Sequence, residues 1–313
     1  MVLLAAAAIV IGSAAAATIA PIWTYAISLL LFGLPHVLVE LRYVDERFAA
    51  RLPRRAVLGF GIGIAGIVLM RMLGLFGVGW STERITLELL LGVGLIAIAL
   101  PLLRRTKAPP LAIAAAAALV LGILYAPVTT LVVMALLHNL TPVGFLAERL
   151  TGSDRRRAML ACLIVFAAIP AFILLTPASG AHLIGPLTVG HLDTHLPAFV
   201  PPAMLGTEFA DRLFATAAYL QCMHYAVVLH VLPRLSGGTE TNHATLPWPR
   251  QRIFTAAVAA IGLLTAIAFA ANFATTRSVY SLFAAVHAWI EIPILLIACA
   301  VLPRRSQPVA AAA

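Results

Sequence analysis

The sequence predicts an all-α, polytopic membrane protein, a single helix bundle over residues 1–313, and three observations predict it. Hydrophobic residues make up 62% of the chain and charged residues 11%, with a mean hydropathy of +1.01; soluble domains carry about a quarter charged residues. Apolar runs of the length that crosses about 30 Å of hydrocarbon at 1.5 Å per helical residue recur from end to end. The basic residues gather in clusters that punctuate those runs, so the formal +9 charge reports topology before any acidic partner. Nucleic-acid binding would need exposed basic stripes with interleaved aromatics, and that class is excluded.

Ten spans can be read in order: 2–20, 22–41, 56–78, 85–103, 109–126, 128–146, 158–176, 211–233, 253–273 and 281–302. Pro21 and Pro127 separate neighbouring spans by almost nothing, so a kinked or re-entrant helix in place of a tight hairpin gives eight or nine. Arg42, Arg47, Arg51, Arg54, Arg55, then Arg104, Arg105, Lys107, then Arg149 and Arg155 to Arg157, then Arg234, Arg250, Arg252, then Arg304 and Arg305 fall on alternate connections. These are 17 of the 21 Lys and Arg. The opposite connections hold only Arg84, Arg212 and Arg277, and Arg71 lies within a span. The excess places the basic connections and both termini of a multi-pass membrane protein in the cytoplasm.

Residues 1–18 lack the basic start of a secretory signal, so the first run is read as a span. Cys162, Cys222 and Cys299 fall in spans at no metal-ligand spacing and read as small apolar residues. The loops at 177–210 and 235–252 are too short for a second domain, and no internal repeat or phosphate-binding glycine loop is present.

Ionisable groups inside hydrocarbon are functional candidates because each costs several kcal/mol unless paired or hydrated. His36 and Glu40 stand four residues apart on one helical face, and His287 and Glu291 repeat the spacing in the last span. His138 lies in the sixth span; Gln221, His224, Tyr225 and His230 lie in the eighth. His36 precedes Arg47 by 11 residues, His138 precedes Arg149 by 11, and His224 precedes Arg234 by 10, which puts all three in one plane about 15 Å from the charge layer. Glu291 falls within a turn of that plane and His287 about a turn further out. A lone intramembrane histidine more often bonds a neighbouring helix. Three at one depth, with two His-xxx-Glu pairs, favour a metal site, the carboxylates fixing imidazole tautomers.

Arg71 and Glu88 sit at matched depth on adjacent helices and read as a structural ion pair. His191-Leu-Asp-Thr-His195 has metal-like spacing, but Gly190 and Pro197 bracket it too closely for a helix. His182 and His243, in polar loops, read as solvated.

The segment Gly33-Leu-Pro35-His36 with Glu40, the mid-chain His138 and the later His224 and His230 resemble motifs of the bacterial Brp/Blh-like β-carotene dioxygenases. Val37 stands where that family usually has Gly, its acidic residue is Asp and differently placed, and its later histidine pair has another spacing. The resemblance implies a membrane enzyme holding non-haem Fe(II) on those histidines and cleaving a carotenoid at its central double bond.

Together these readings give an iron-dependent membrane oxidoreductase for a lipophilic small molecule. His36, His138 and His224 are the expected ligands, with His230 or His287 as a fourth. Glu40 and Glu291 orient them; Tyr225 and Gln221 line the cavity. Zinc or haem in place of iron, and a proton-coupled transporter using the same His and Glu residues, remain open at this point.

Overall fold

The structure, a computed structural model, describes residues 2–48, 52–79, 81–103, 109–176, 189–235 and 244–300. Its regular structure is helical throughout: α1 (Val2–Ile19), α2 (Pro21–Phe48), α3 (Arg54–Leu75), α4 (Ser81–Leu103), α5 (Pro109–Tyr125), α6 (Pro127–His138), α7 (Thr141–Arg149), α8 (Gly152–Leu175), α9 (Glu208–Leu235), α10 (Gln251–Ala271) and α11 (Phe273–Ala300). Helices satisfy their own backbone, which lipid cannot do, and the apolar runs of the sequence need that.

Among the described residues seven helices, α2, α3, α4, α8, α9, α10 and α11, are long and apolar enough to cross a membrane. The pair α6 and α7, bent by 41° across Asn139 and Leu140, makes an eighth if taken as one broken span. Of the ten expected runs, the first and fifth form apolar helices short of that length, counted over Leu4–Ile19 and Pro110–Tyr125. The basic residues Arg51, Arg104, Arg105, Lys107, Arg304 and Arg305 lie outside the described residues, as do His182 and His243.

α2 and α11 form the centre of the bundle. α2 packs on α1, α9, α10 and α11, and α11 packs on α3, α4 and α7 as well. Gly262 of α10 makes room for Pro35 of α2, whose Cγ would stand 2.8 Å from a Cβ at that position. Outward faces carry exposed Leu58, Ile62, Phe172, Leu175, Leu263 and Leu264, an apolar exterior suited to lipid. Buried Cys162 and half-buried Cys222 are free thiols; the side chain of Cys299 lies outside the described residues.

Two aromatic clusters bracket a polar middle. At one end Ile22, Tyr25, Phe214, Phe269 and Phe273 pack with Leu192, Leu196 and Val200 of the segment before α9. At the other, the rings of Tyr43, Phe48 and Phe145 pack on one another. Beyond the second cluster, polar bonds tie the helix ends: Arg47 to Glu148 at 2.8 Å, Arg149 Nε to the Leu235 carbonyl at 2.8 Å, and Asp45 to the Leu246 amide and Trp248 indole at 3.0 and 2.8 Å.

Candidate metal centre

Three histidines of the polar middle, and Glu291, sit beside local breaks in helical regularity. His36 follows Pro35, which removes the backbone bond to the Leu31 carbonyl. His138 is the last residue of α6 before the bend. His224 precedes a π-helical turn at Val227–Val231, and Pro293 interrupts the α11 ladder two residues after Glu291. Such interruptions re-aim side chains and recur at functional sites.

The structure brings His36, His138, His224 and His287 together, one ring nitrogen from each lying within 4.8 Å of the others. Glu40, His287 and Glu291 form an overlapping group by the same measure. His36, His224, His287, Glu40 and Glu291 are each at most 2% exposed. Metal–imidazole bonds of about 2.1 Å place opposed ligand nitrogens about 4.2 Å apart, so the spread is only slightly wider than a coordination shell.

Tautomers narrow the chemistry. His36 Nδ1 lies 3.0 Å from the Phe32 carbonyl and His287 Nδ1 3.4 Å from that of Phe283. A carbonyl can only accept, so these contacts favour the Nδ1–H tautomer of each ring, which leaves each Nε2 with a lone pair. Those two Nε2 atoms face each other at 3.2 Å. Two lone pairs so placed repel unless a cation lies between them, and 3.2 Å is what two ligands on one metal subtend at about 2.1 Å and 90–109°.

The carboxylates complete the set. Glu40 Oε2 stands 3.2 Å from His224 Nε2, and Glu291 Oε2 2.9 Å from His138 Nδ1. The second contact is close without a well-aligned hydrogen bond, and His224 Nδ1 is buried with no hydrogen-bond partner. The Glu40 and Glu291 carboxyls lie within hydrogen-bond reach of each other, and no Lys or Arg forms an ion pair with either among the described residues. Two buried carboxyls and four imidazoles gathered in this way fit a divalent cation.

His230 does not join the group. It lies six residues past His224 within the π-helical turn, and its side chain is exposed, so the fourth imidazole is that of His287. Tyr225 stacks on His36 with ring centroids 4.1 Å apart. Gln221 donates to Ser28 Oγ at 2.8 Å. Both line a cavity of about 280 Å³ that has His36, His138 and His287 on its wall and is otherwise mainly apolar.

The two histidines of the His191-Leu-Asp-Thr-His195 segment separate. His191 is exposed, whereas His195 is buried, with Nε2–H donating to the Val189 carbonyl at 2.8 Å and Nδ1 accepting from Arg277 at 2.9 Å. Burial, aided by the Arg277 charge, holds the His195 pKa below the ordinary imidazole value against the raising effect of the Val189 bond. Arg71 and Glu88 pair at 2.6–3.2 Å, and Glu88 also accepts the Trp289 indole N–H at 2.8 Å. Gly92 permits that bond, because a Cβ there would overlap the Trp289 ring. Sequence reading missed the Arg277–His195 contact, since it joins elements 82 residues apart. No family model, curated protein or solved structure matches the chain.

Proposed function

We propose that the chain is a multi-pass, metal-dependent oxidoreductase of the bacterial inner membrane that acts on a lipid-soluble alkene, with Fe(II) as the metal. The observation that carries the reading is the approach of His36 Nε2 and His287 Nε2 to 3.2 Å, with buried His224, half-buried His138 and two buried carboxylates around them. Iron would supply O2 activation, since imidazole-rich sites with open positions support that chemistry. His36, His138, His224 and His287 hold the ion; Glu40 and Glu291 orient His224 and His138 and balance the charge. Tyr225 packs on His36 and fixes its ring plane, and the mainly apolar cavity holds the chain of the substrate against the cluster while excluding water. Oxidative cleavage, as in the carotenoid dioxygenases the histidine motifs resemble, adds one O2 across one C=C bond and yields two carbonyls, so the reaction balances without a further reductant.

Haem suits this geometry less well. Two axial imidazoles stand on opposite faces of a macrocycle, whereas here four ring nitrogens crowd into one small volume. Elemental analysis and an absorption spectrum of the detergent-purified protein test the assignment. Stoichiometric iron without a Soret band, together with alkene-dependent O2 uptake, is expected. A metal-free protein with this cluster intact would overturn the enzyme reading in favour of proton-coupled transport by the same residues.

The orientation proposed from the arginine asymmetry places Ser153 in the cytoplasm and Thr207 outside. In intact cells an impermeant thiol reagent should label Thr207→Cys and spare Ser153→Cys; the reverse pattern inverts the topology.

A further inference from the structure

Arg277 lies on the same cavity wall as the histidines, ten residues before His287 on α11 and therefore about 15 Å from it along the helix axis. Its only hydrogen-bond partner among the described residues is His195 Nδ1, at 2.9 Å. Because His195 Nε2–H is committed to the Val189 carbonyl, its Nδ1 is the lone-pair nitrogen of a neutral ring. A neutral acceptor positions the guanidinium without cancelling its charge.

The other arginine on the wall is spent differently. Arg71 makes a forked contact to the Glu88 carboxylate and donates to the Ser281 carbonyl at 3.2 Å. Among the described residues no carboxylate pairs with Arg277, and no Asp or Glu lines the cavity. The Tyr25 ring flanks the guanidinium 6.0 Å away, and Phe199 closes the same end. Between Arg277 and the histidines the lining includes Leu29, Tyr280 and Ala284. One end of the cavity thus offers an uncompensated cation with free donors, the other a cluster of imidazoles, and the space between is largely apolar.

We propose that Arg277 binds the carboxylate of an amphipathic substrate, a long-chain unsaturated carboxylate whose chain lies along the cavity and reaches the histidine cluster. This deepens the proposed function by naming the substrate class of the same site, and it rests on that reading for the chemistry at the far end. The length agrees, since an extended chain gains about 3.6 Å per three bonds, so about 15 Å corresponds to a dozen bonds between the carboxylate and the reacting carbons. His195 is a positioning residue that holds the guanidinium at the mouth while leaving its forked donors for the paired carboxylate oxygens.

Equilibrium binding of radiolabelled oleate and of its methyl ester to the purified full-length protein in lipid nanodiscs tests the anchor. The acid should bind the native protein about tenfold more tightly than the ester, the discrimination expected of a charge-assisted bond. Arg277→Gln should bring the acid down to the level of the ester, and Arg277→Lys should recover part of the difference. Equal affinities of acid and ester for the native protein would overturn the proposal even if every variant failed to fold. Metal content separates the two readings. Acid-selective binding by a metal-free protein keeps the anchor and removes the oxidase, whereas an iron-loaded protein indifferent to the carboxylate keeps the oxidase and removes the anchor.

Discussion

Replacing His36, His138, His224 or His287 with alanine is expected to strip the protein of metal and of activity together. Each of the four contributes one nitrogen to a cluster no wider than 4.8 Å, and among the described residues the grouped substitutes are Glu40 and Glu291. Loss of groups that merely orient a ligand weakens metal affinity by about 10–100-fold, so loss of a ligand should exceed that and leave little metal after dialysis against a chelator. Glu40→Gln and Glu291→Gln should fall within the smaller range. Membrane insertion should survive, because a single His→Ala raises the hydrophobicity of its helix. His230→Ala is the internal control, since that side chain is exposed and stands apart from the cluster; it should keep its metal. Metal per chain, measured by elemental analysis on each purified variant, decides the matter. Full retention in all four alanine variants would return these histidines to helix packing.

How much of this was legible in the sequence varies with the range of the interaction. Helix positions follow from local hydropathy, and each expected run is a helix or a bent helix pair. The count of crossings is less local. The fifth run forms a helix of 17 residues, and the sixth bends at Asn139 and Leu140, just before Pro142, which removes a backbone donor. Depth counted from the arginines placed His36, His138 and His224 in one plane, because residue rise along a helix is nearly constant. The same ruler set His287 a turn too far out; its counting mark, Arg304, lies outside the described residues. His230 shows the complementary limit. A spacing of six fits one helical face poorly, and the π-helical turn that holds it gives no signal of its own in the sequence. Arg277 and His195 met through tertiary packing alone, and the His-xxx-His pattern that drew attention to His195 concerned a different chemistry.

The second large effect is expected at the Arg71–Glu88 pair, and it should be asymmetric. Matched depth on adjacent helices predicts the contact, and the structure adds that both partners carry further bonds: Arg71 to the Ser281 carbonyl, Glu88 to the Trp289 indole. Removing one member of a buried pair destabilises by about 3–5 kcal/mol, mostly because the survivor keeps its charge without its partner. The survivors differ here. In Arg71→Met the Glu88 carboxylate, 5% exposed, is left with one neutral donor, whereas in Glu88→Met the Arg71 side chain, 26% exposed, keeps the Ser281 carbonyl and can turn toward the cavity it already lines. Arg71→Met should therefore lower the thermal stability of the detergent-purified protein more than Glu88→Met does. The double variant should be milder than Arg71→Met alone, since it leaves no charge behind, with a coupling on the order of 1–3 kcal/mol. Trp289 reports on the same site, because its indole loses its acceptor only in the variants that lack Glu88, and its fluorescence should shift in those and stay in Arg71→Met. Losses that simply add in the double variant would show that the two charges meet without depending on each other.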